Sequence, residues 1–215
     1  MKILFFGDSI TDAGRDRESD STIKAMGYGY VAHAASRLYE KSPVNYQILN
    51  RGISGHRIVD LYARAKKDCW ALEPDVLSIL IGINDVWHDL QSIPNGVELD
   101  RFEKMYRLLL EDTVSRLPDT KIILCEPFVL HGYATDEKFE HFCKIYEYAK
   151  VVKALADEFG LYFLPLQDVM NEAAAQYGDS VLLADGVHPT TQGATLIATE
   201  WVKLFSDVEK SISSK

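Results

Sequence analysis

The chain has 215 residues and carries 23 Lys and Arg against 32 Asp and Glu, a formal charge of −9. With 47% hydrophobic and 26% charged residues, the composition excludes intrinsic disorder and predicts a single packed domain over residues 1–215. The acidic balance argues against nucleic acid or an anionic membrane as partner, since both need clustered Lys and Arg.

The N-terminus reads MKILFFGDSIT. Its apolar run, Ile3 to Phe6, is shorter than a signal-peptide core and predicts a cytoplasmic protein. Apolar, β-rich runs of strand length occur at Lys2–Phe6, Tyr46–Asn50, Val76–Ile81, Lys121–Cys125 and Leu161–Leu164. Most are nearly continuous, as expected of strands buried on both faces.

Between them lie helical patterns. Tyr30, Ala34, Ala35, Leu38 and Tyr39 share one face, as do Phe102, Met105, Tyr106, Leu109 and Leu110 ahead of Pro118. Phe142 to Phe159 forms a third amphipathic stretch, with Gly160 placed as its C-terminal stop, and a last helix is predicted from about Gln192 to Phe205. Alternation of this kind implies βαβ units and a parallel sheet with helices on both faces. Ligands of such sheets bind outside the carboxyl ends of the strands, so the loops there carry the functional expectations.

After the first strand comes Gly7-Asp8-Ser9-Ile10-Thr11-Asp12. Ser9 just past a strand end can project its hydroxyl into the crevice; equally, Asp8, Ser9 or Thr11 can cap a helix, or the loop can hold a phosphate. In Asn50-Arg51-Gly52-Ile53-Ser54-Gly55-His56 the two glycines permit close backbone approach and a free N–H, or form an ordinary turn. The third strand ends in Gly82-Ile83-Asn84-Asp85, where the Asn84 amide can donate to a developing oxyanion or start an Asx-turn. In Asp185-Gly186-Val187-His188-Pro189 a carboxylate three residues before a histidine can take its Nδ1–H and leave Nε2 as a base. Each segment alone is weak. Together they fill every role of an acyl hydrolase once, at one end of one predicted sheet.

These four segments resemble the blocks of the SGNH (GDSL-type) hydrolase family, in the family's order and over residues 7 to 189. The resemblance implies Ser9, Asp185 and His188 as catalytic residues, an oxyanion hole of Ser9, Gly55 and Asn84, and no metal or organic cofactor. It also implies a flavodoxin-like three-layer α/β/α sandwich with a five-stranded parallel sheet. The wider strings GDSITDAGRDR, GYGYV, NRGISG and IGINDVW are similar to intracellular acetylxylan esterase-like carbohydrate esterases. Ala184 stands where related xylan esterases often carry a bulkier residue.

The expected reaction is hydrolysis of short acyl esters, acetyl above all, on a small-molecule or oligosaccharide alcohol. A thioesterase or lysophospholipase of the same family is the alternative, and a non-catalytic flavodoxin-like binding module is the other class. So short a chain leaves specificity to its loops or to neighbouring subunits of a homo-oligomer. Trp87, His88 and Phe128 follow strand ends and are candidates to line the pocket or to cover the sheet's rim. Arg51 and Arg57 are read as solvated loop charges, with an anionic substrate as the other option. His131, His141 and Cys143 lack a recognised zinc spacing, and Asp8 with Asp12 as a glycosidase pair leaves Asn84 and His188 unexplained.

Overall fold

A computed structural model describes residues 1–18, 20 and 22–213. Its sheet has five parallel strands in the order β2-β1-β3-β4-β5: β1 Lys2–Gly7, β2 Gln47–Gly52, β3 Val76–Leu80, β4 Lys121–Cys125 and β5 Tyr162–Leu164. This is the five-stranded flavodoxin-like arrangement that the family resemblance implies, built on the parallel sheet that the alternating sequence predicts. β2 starts one residue later and ends two later than its apolar run, because Arg51 and Gly52 still pair with Phe6 and Gly7.

The principal helices are α1 Ser9–Asp12, α2 Tyr30–Lys41, α3 Ile58–Asp68, α4 Ile83–Trp87, α5 Leu99–Arg116, α6 Phe139–Phe142, α7 Ile145–Phe159, α8 Gln167–Tyr177, α9 Asp179–Leu182 and α10 Thr191–Ser213. The predicted stretch from Phe142 is interrupted: α6 ends there and α7 begins at Ile145, with Gly160 its left-handed cap as expected. α10 extends eight residues beyond Phe205. Its apolar face persists, since Val208 is fully buried.

Adjacent residues of β1 show how the sheet divides the core. Phe5 packs on Tyr30 of α2 and Trp201 of α10, whereas the neighbouring Phe6 lies under Arg64 of α3. Successive strand side chains point to opposite faces, so α2 and α10 cover one face and α3 the other. α5 packs against both α3 and α7. At the centre of the sheet, fully buried Ser78 accepts the Trp201 indole N–H at 2.9 Å, which fixes α10 to the middle strand. Cys69 and Cys125 are free and buried, and burial pushes both thiols up to about 12. Among the described residues no helix is long and apolar enough to cross a membrane.

The register aligns the strand ends. Gly7 pairs with Gly52 on one side and Leu80 on the other. The loops that follow, with Ser9, Gly55 and Asn84, therefore leave the sheet at one level.

Candidate active site

Asp8 caps the short helix that begins with Ser9. Its Oδ1 accepts the Ile10 N–H at 3.0 Å, while Oδ2 is buried without a partner. Burial pushes this carboxyl up to about 7, with the Ile10 N–H and the nearby His188 opposing. Gly7 has no room for a side chain: a Cβ there would stand 2.4 Å from both the Leu80 carbonyl and the Thr11 hydroxyl. Close strand contact and the cap together turn the chain sharply and bring Ser9 to the surface of the crevice.

Ser9 Oγ lies 2.9 Å from His188 Nε2, across 179 residues of sequence. His188 Nδ1 lies 2.6 Å from Asp185 Oδ2, and Asp185 Oδ1 accepts the backbone N–H groups of Val187 and His188 at 2.9 and 2.7 Å. The turn is pinned from outside by an antiparallel bridge between Leu183 and Pro189 and by the Ala184 N–H on the His188 carbonyl at 2.8 Å. Burial alone would raise Asp185, but the bonds from His188 and the two backbone donors outweigh it and hold the carboxyl at about 2. The Asp185 bond raises His188 above the ordinary imidazole value, against partial burial.

The two remaining segments meet at the same place. Ser9, Gly55, Asn84 and His188, with Ser54, Trp87, His88, Leu90 and Gln91, line one pocket of about 370 Å³. Gly55 takes φ +80° with open space around it. Asn84 stands at the start of α4 and donates to the His56 carbonyl at 3.1 Å, so its amide nitrogen is turned toward the Gly55 loop. Larger grooves of about 610 and 650 Å³ occur elsewhere, but the first lacks a serine or histidine and the second lies on the exposed α6 surface.

Several residues hold this assembly in roles that the sequence pattern did not assign to them. Asp12 is buried and accepts both the Ser54 N–H at 3.0 Å and its hydroxyl at 2.9 Å, tying α1 to the Gly55 loop. Burial would raise Asp12, but bonds from Arg17 and Ser54 hold it below the carboxylate norm. Asp85 is fully buried and accepts the first N–H of α3, from Ile58, at 3.0 Å; burial raises its carboxyl well above normal. Asp8 and Asp12 are thus committed to backbone and loop contacts, not arranged as a glycosidase pair. The available signal was position: Asp8 and Asp85 each adjoin a proposed donor, and Asp12 lies one helical turn beyond Ser9.

The remaining candidates fall as follows. Phe128 is fully buried and is not among the residues that line the Ser9 pocket, whereas Trp87 and His88 are. Arg51 and Arg57 are not solvated: their side chains are 12% and 13% exposed and paired with Asp20 and Asp60. His131 stacks on Phe139 and pairs with Asp136, while His141 bonds the Val86 carbonyl. Among the described residues no group of three or more His, Cys, Asp or Glu side chains converges as a metal site.

Comparison with known proteins agrees with this architecture. A family model described as "GDSL-like Lipase/Acylhydrolase family" matches residues 5–196. An acetylxylan esterase of Geobacillus stearothermophilus is 37% identical over 207 residues, covering 94% of this chain and 92% of the relative. A crystal structure of that esterase superposes with TM-score 0.84 at 35% identity, covering 94% and 93% of the two chains. A GDSL-like protein from Parabacteroides merdae gives TM-score 0.87 at 41% identity, with 94% of each chain covered. The Geobacillus esterase has also been solved as catalytic mutants at a serine, an aspartate and a histidine, the last two three positions apart.

Proposed function

The chain belongs to the GDSL-like lipase/acylhydrolase family and is a carboxylic ester hydrolase, and from that premise we propose a serine esterase acting on acetylated carbohydrates such as xylo-oligosaccharides. Ser9 is its nucleophile, His188 its general base and Asp185 the group that orients the base. The observation that carries this reading is the continuous hydrogen-bonded series Ser9–His188–Asp185 at the rim of a pocket shared with Gly55 and Asn84.

His188 removes the Ser9 proton as Oγ attacks the acyl carbonyl. The negative charge that develops on oxygen meets the Ser9 and Gly55 backbone N–H groups and the Asn84 amide. His188 then hands its proton to the departing alcohol. A water deprotonated by the same ring attacks the acyl-enzyme carbonyl, the ring returns that proton to Ser9 Oγ as the acyl–Oγ bond breaks, and the acid leaves. Asp185, held ionised by its three donors, keeps the ring proton on Nδ1 and stabilises the imidazolium.

A short acyl group suits the walls around Ser9. Trp87 lies with its ring 6.0 Å from that of His188 and is braced edge-on by Phe142, and Leu90 stands beside it. Similarity to an acetylxylan esterase over nearly the whole chain supports a sugar as the alcohol.

The test compares acetylated xylo-oligosaccharides, acetyl and octanoyl esters, and acyl thioesters, with a fluorophosphonate label located by mass spectrometry. Acetyl esters are expected to be turned over fastest and Ser9 to carry the label. Preference for octanoyl or thioester substrates would replace the acetyl-sugar reading, and turnover by a folded Ser9→Ala variant would end the serine mechanism.

A further inference from the structure

We infer that Arg64, in the middle of α3, is a positioning residue that sets the spacing of the three groups facing the developing oxyanion. The inference rests on the assignment of Ser9, Gly55 and Asn84 proposed above.

Its guanidinium reaches all three segments, two of them directly and the third through His56. Nη2 donates to the Gly7 carbonyl at 3.0 Å, two residues before Ser9. Nε donates to His56 Nδ1 at 3.0 Å, one residue after Gly55. The His56 carbonyl in turn receives the Asn84 amide at 3.1 Å. Nη1 is anchored by Asp68 at 3.2 Å, and the plane lies 4.3 Å from the centre of the Phe6 ring. Only 11% of the side chain is exposed.

Ladder pairing gives no such restraint. It ends at Gly7–Gly52 and Gly7–Leu80, short of all three donors. Beyond that level one backbone bond, from the Ile53 N–H to the same Gly7 carbonyl at 3.1 Å, joins the first two segments, and the rest of their relative placement depends on side chains. A guanidinium is suited to the task because its donors lie in one rigid plane, which an ammonium cannot reproduce. Acceptance at Nδ1 also places the His56 ring proton on Nε2, fixing the tautomer next to Gly55.

Docking of α3 does not require that charge. Ile58, Leu61 and Ala65 on the same helix are already fully buried. Replacement by methionine keeps an apolar stem over Phe6 while removing the donors and the charge paired with Asp68, and the Lys variant, which keeps the charge, separates the two roles.

The experiment measures kcat, KM, Tm and inhibition by a boronic acid, which forms a tetrahedral adduct on an active-site serine. It uses Arg64→Met, Arg64→Lys, Asn84→Ala and the double variant Arg64→Met/Asn84→Ala with one acetyl ester. Arg64→Met is expected to lower kcat about 10- to 100-fold with KM within about threefold of wild type, and to weaken boronate binding in step. Arg64→Lys should fall between. The double variant should lose less than the product of the single losses, because both act on the same oxygen.

The inference is overturned if Asn84→Ala is impaired while folded Arg64→Met keeps its kcat and boronate affinity, or if the two losses multiply. Should Arg64→Met fail to fold, the Lys variant decides, and unchanged kcat there overturns the inference. Full turnover by Asn84→Ala has a separate meaning: it removes the assignment of the oxyanion groups on which the inference stands.

Discussion

Asp185 grips His188 at two points, with one carboxylate oxygen 2.6 Å from the ring Nδ1 and the other 2.7 Å from the backbone nitrogen of the same residue. The ring cannot rotate without breaking the first contact, and the turn cannot open without breaking the second. The same contact stabilises the protonated ring and raises its pKa.

That shift has a definite sign in catalysis. The base must be neutral, so kcat/KM should rise with pH through a midpoint above 6.5, the ordinary imidazole value. In Asp185→Asn the midpoint should move down, and kcat should fall on the order of 10⁴-fold through loss of the correct tautomer. A pH–rate profile of both proteins checks this; a wild-type midpoint below that of the variant would contradict it.

Asn84→Ala should cost turnover more than fold. Loss of one oxyanion donor typically lowers kcat on the order of 10²- to 10³-fold. In the resting protein the Asn84 amide makes one bond, to the His56 carbonyl, whose loss costs about 1 kcal/mol. Kinetics beside a denaturation curve separates the two effects.

The two glycines of the second loop should respond differently to alanine. A Cβ on Gly52 would stand 2.1 Å from the Asp12 nitrogen and 2.6 Å from its Cα, so Gly52→Ala must push α1 away from β2. Overpacking of this kind costs about 1–3 kcal/mol or more and here falls on the helix that begins with Ser9. Gly55→Ala meets nothing within 4 Å and bears only the strain of φ +80°, about 1–2 kcal/mol. Thermal melts should show the larger loss for Gly52→Ala.

Asp8 should make the protein less stable as pH rises. Its folded pKa, about 7, lies above the ordinary 3.8, so the stability tied to its protonated form is complete below 3.8 and lost as pH climbs through 7. The contribution amounts to on the order of 4 kcal/mol between pH 4 and 8. Asp8→Asn removes this dependence while keeping an acceptor for Ile10. Urea titrations of both proteins across that range test it, and parallel curves would reject it.

The strands and the segments carrying Ser9, Gly55, Asn84, Asp185 and His188 were legible because burial and turn chemistry leave local patterns. Continuous apolar runs mark β1, β3 and β4, and paired glycines mark the loop after β2. α3 was not among the predicted helices, and its inward face includes Arg64, a charged residue that interrupts the apolar stripe. For Phe128 the sequence left pocket and rim open, because following a strand end says nothing about which way a ring turns. Arg51 and Arg57 look like loop charges until folding supplies Asp20 and Asp60. The roles of Asp12 and Asp85 depend on contacts 42 and 27 residues away, to Ser54 and Ile58, and no local window contains both partners.

The anchoring of α10 by Trp201 to Ser78 ties the proposed chemistry to the order in which the chain assembles. Ser9 follows the first strand, whereas His188 is delivered just ahead of the last helix. A folding intermediate with a complete sheet but an undocked α10 keeps its nucleophile and lacks a held base. Recovery of esterase turnover during refolding is therefore expected to report the docking of α10, which a spectroscopic signal of the sheet alone does not.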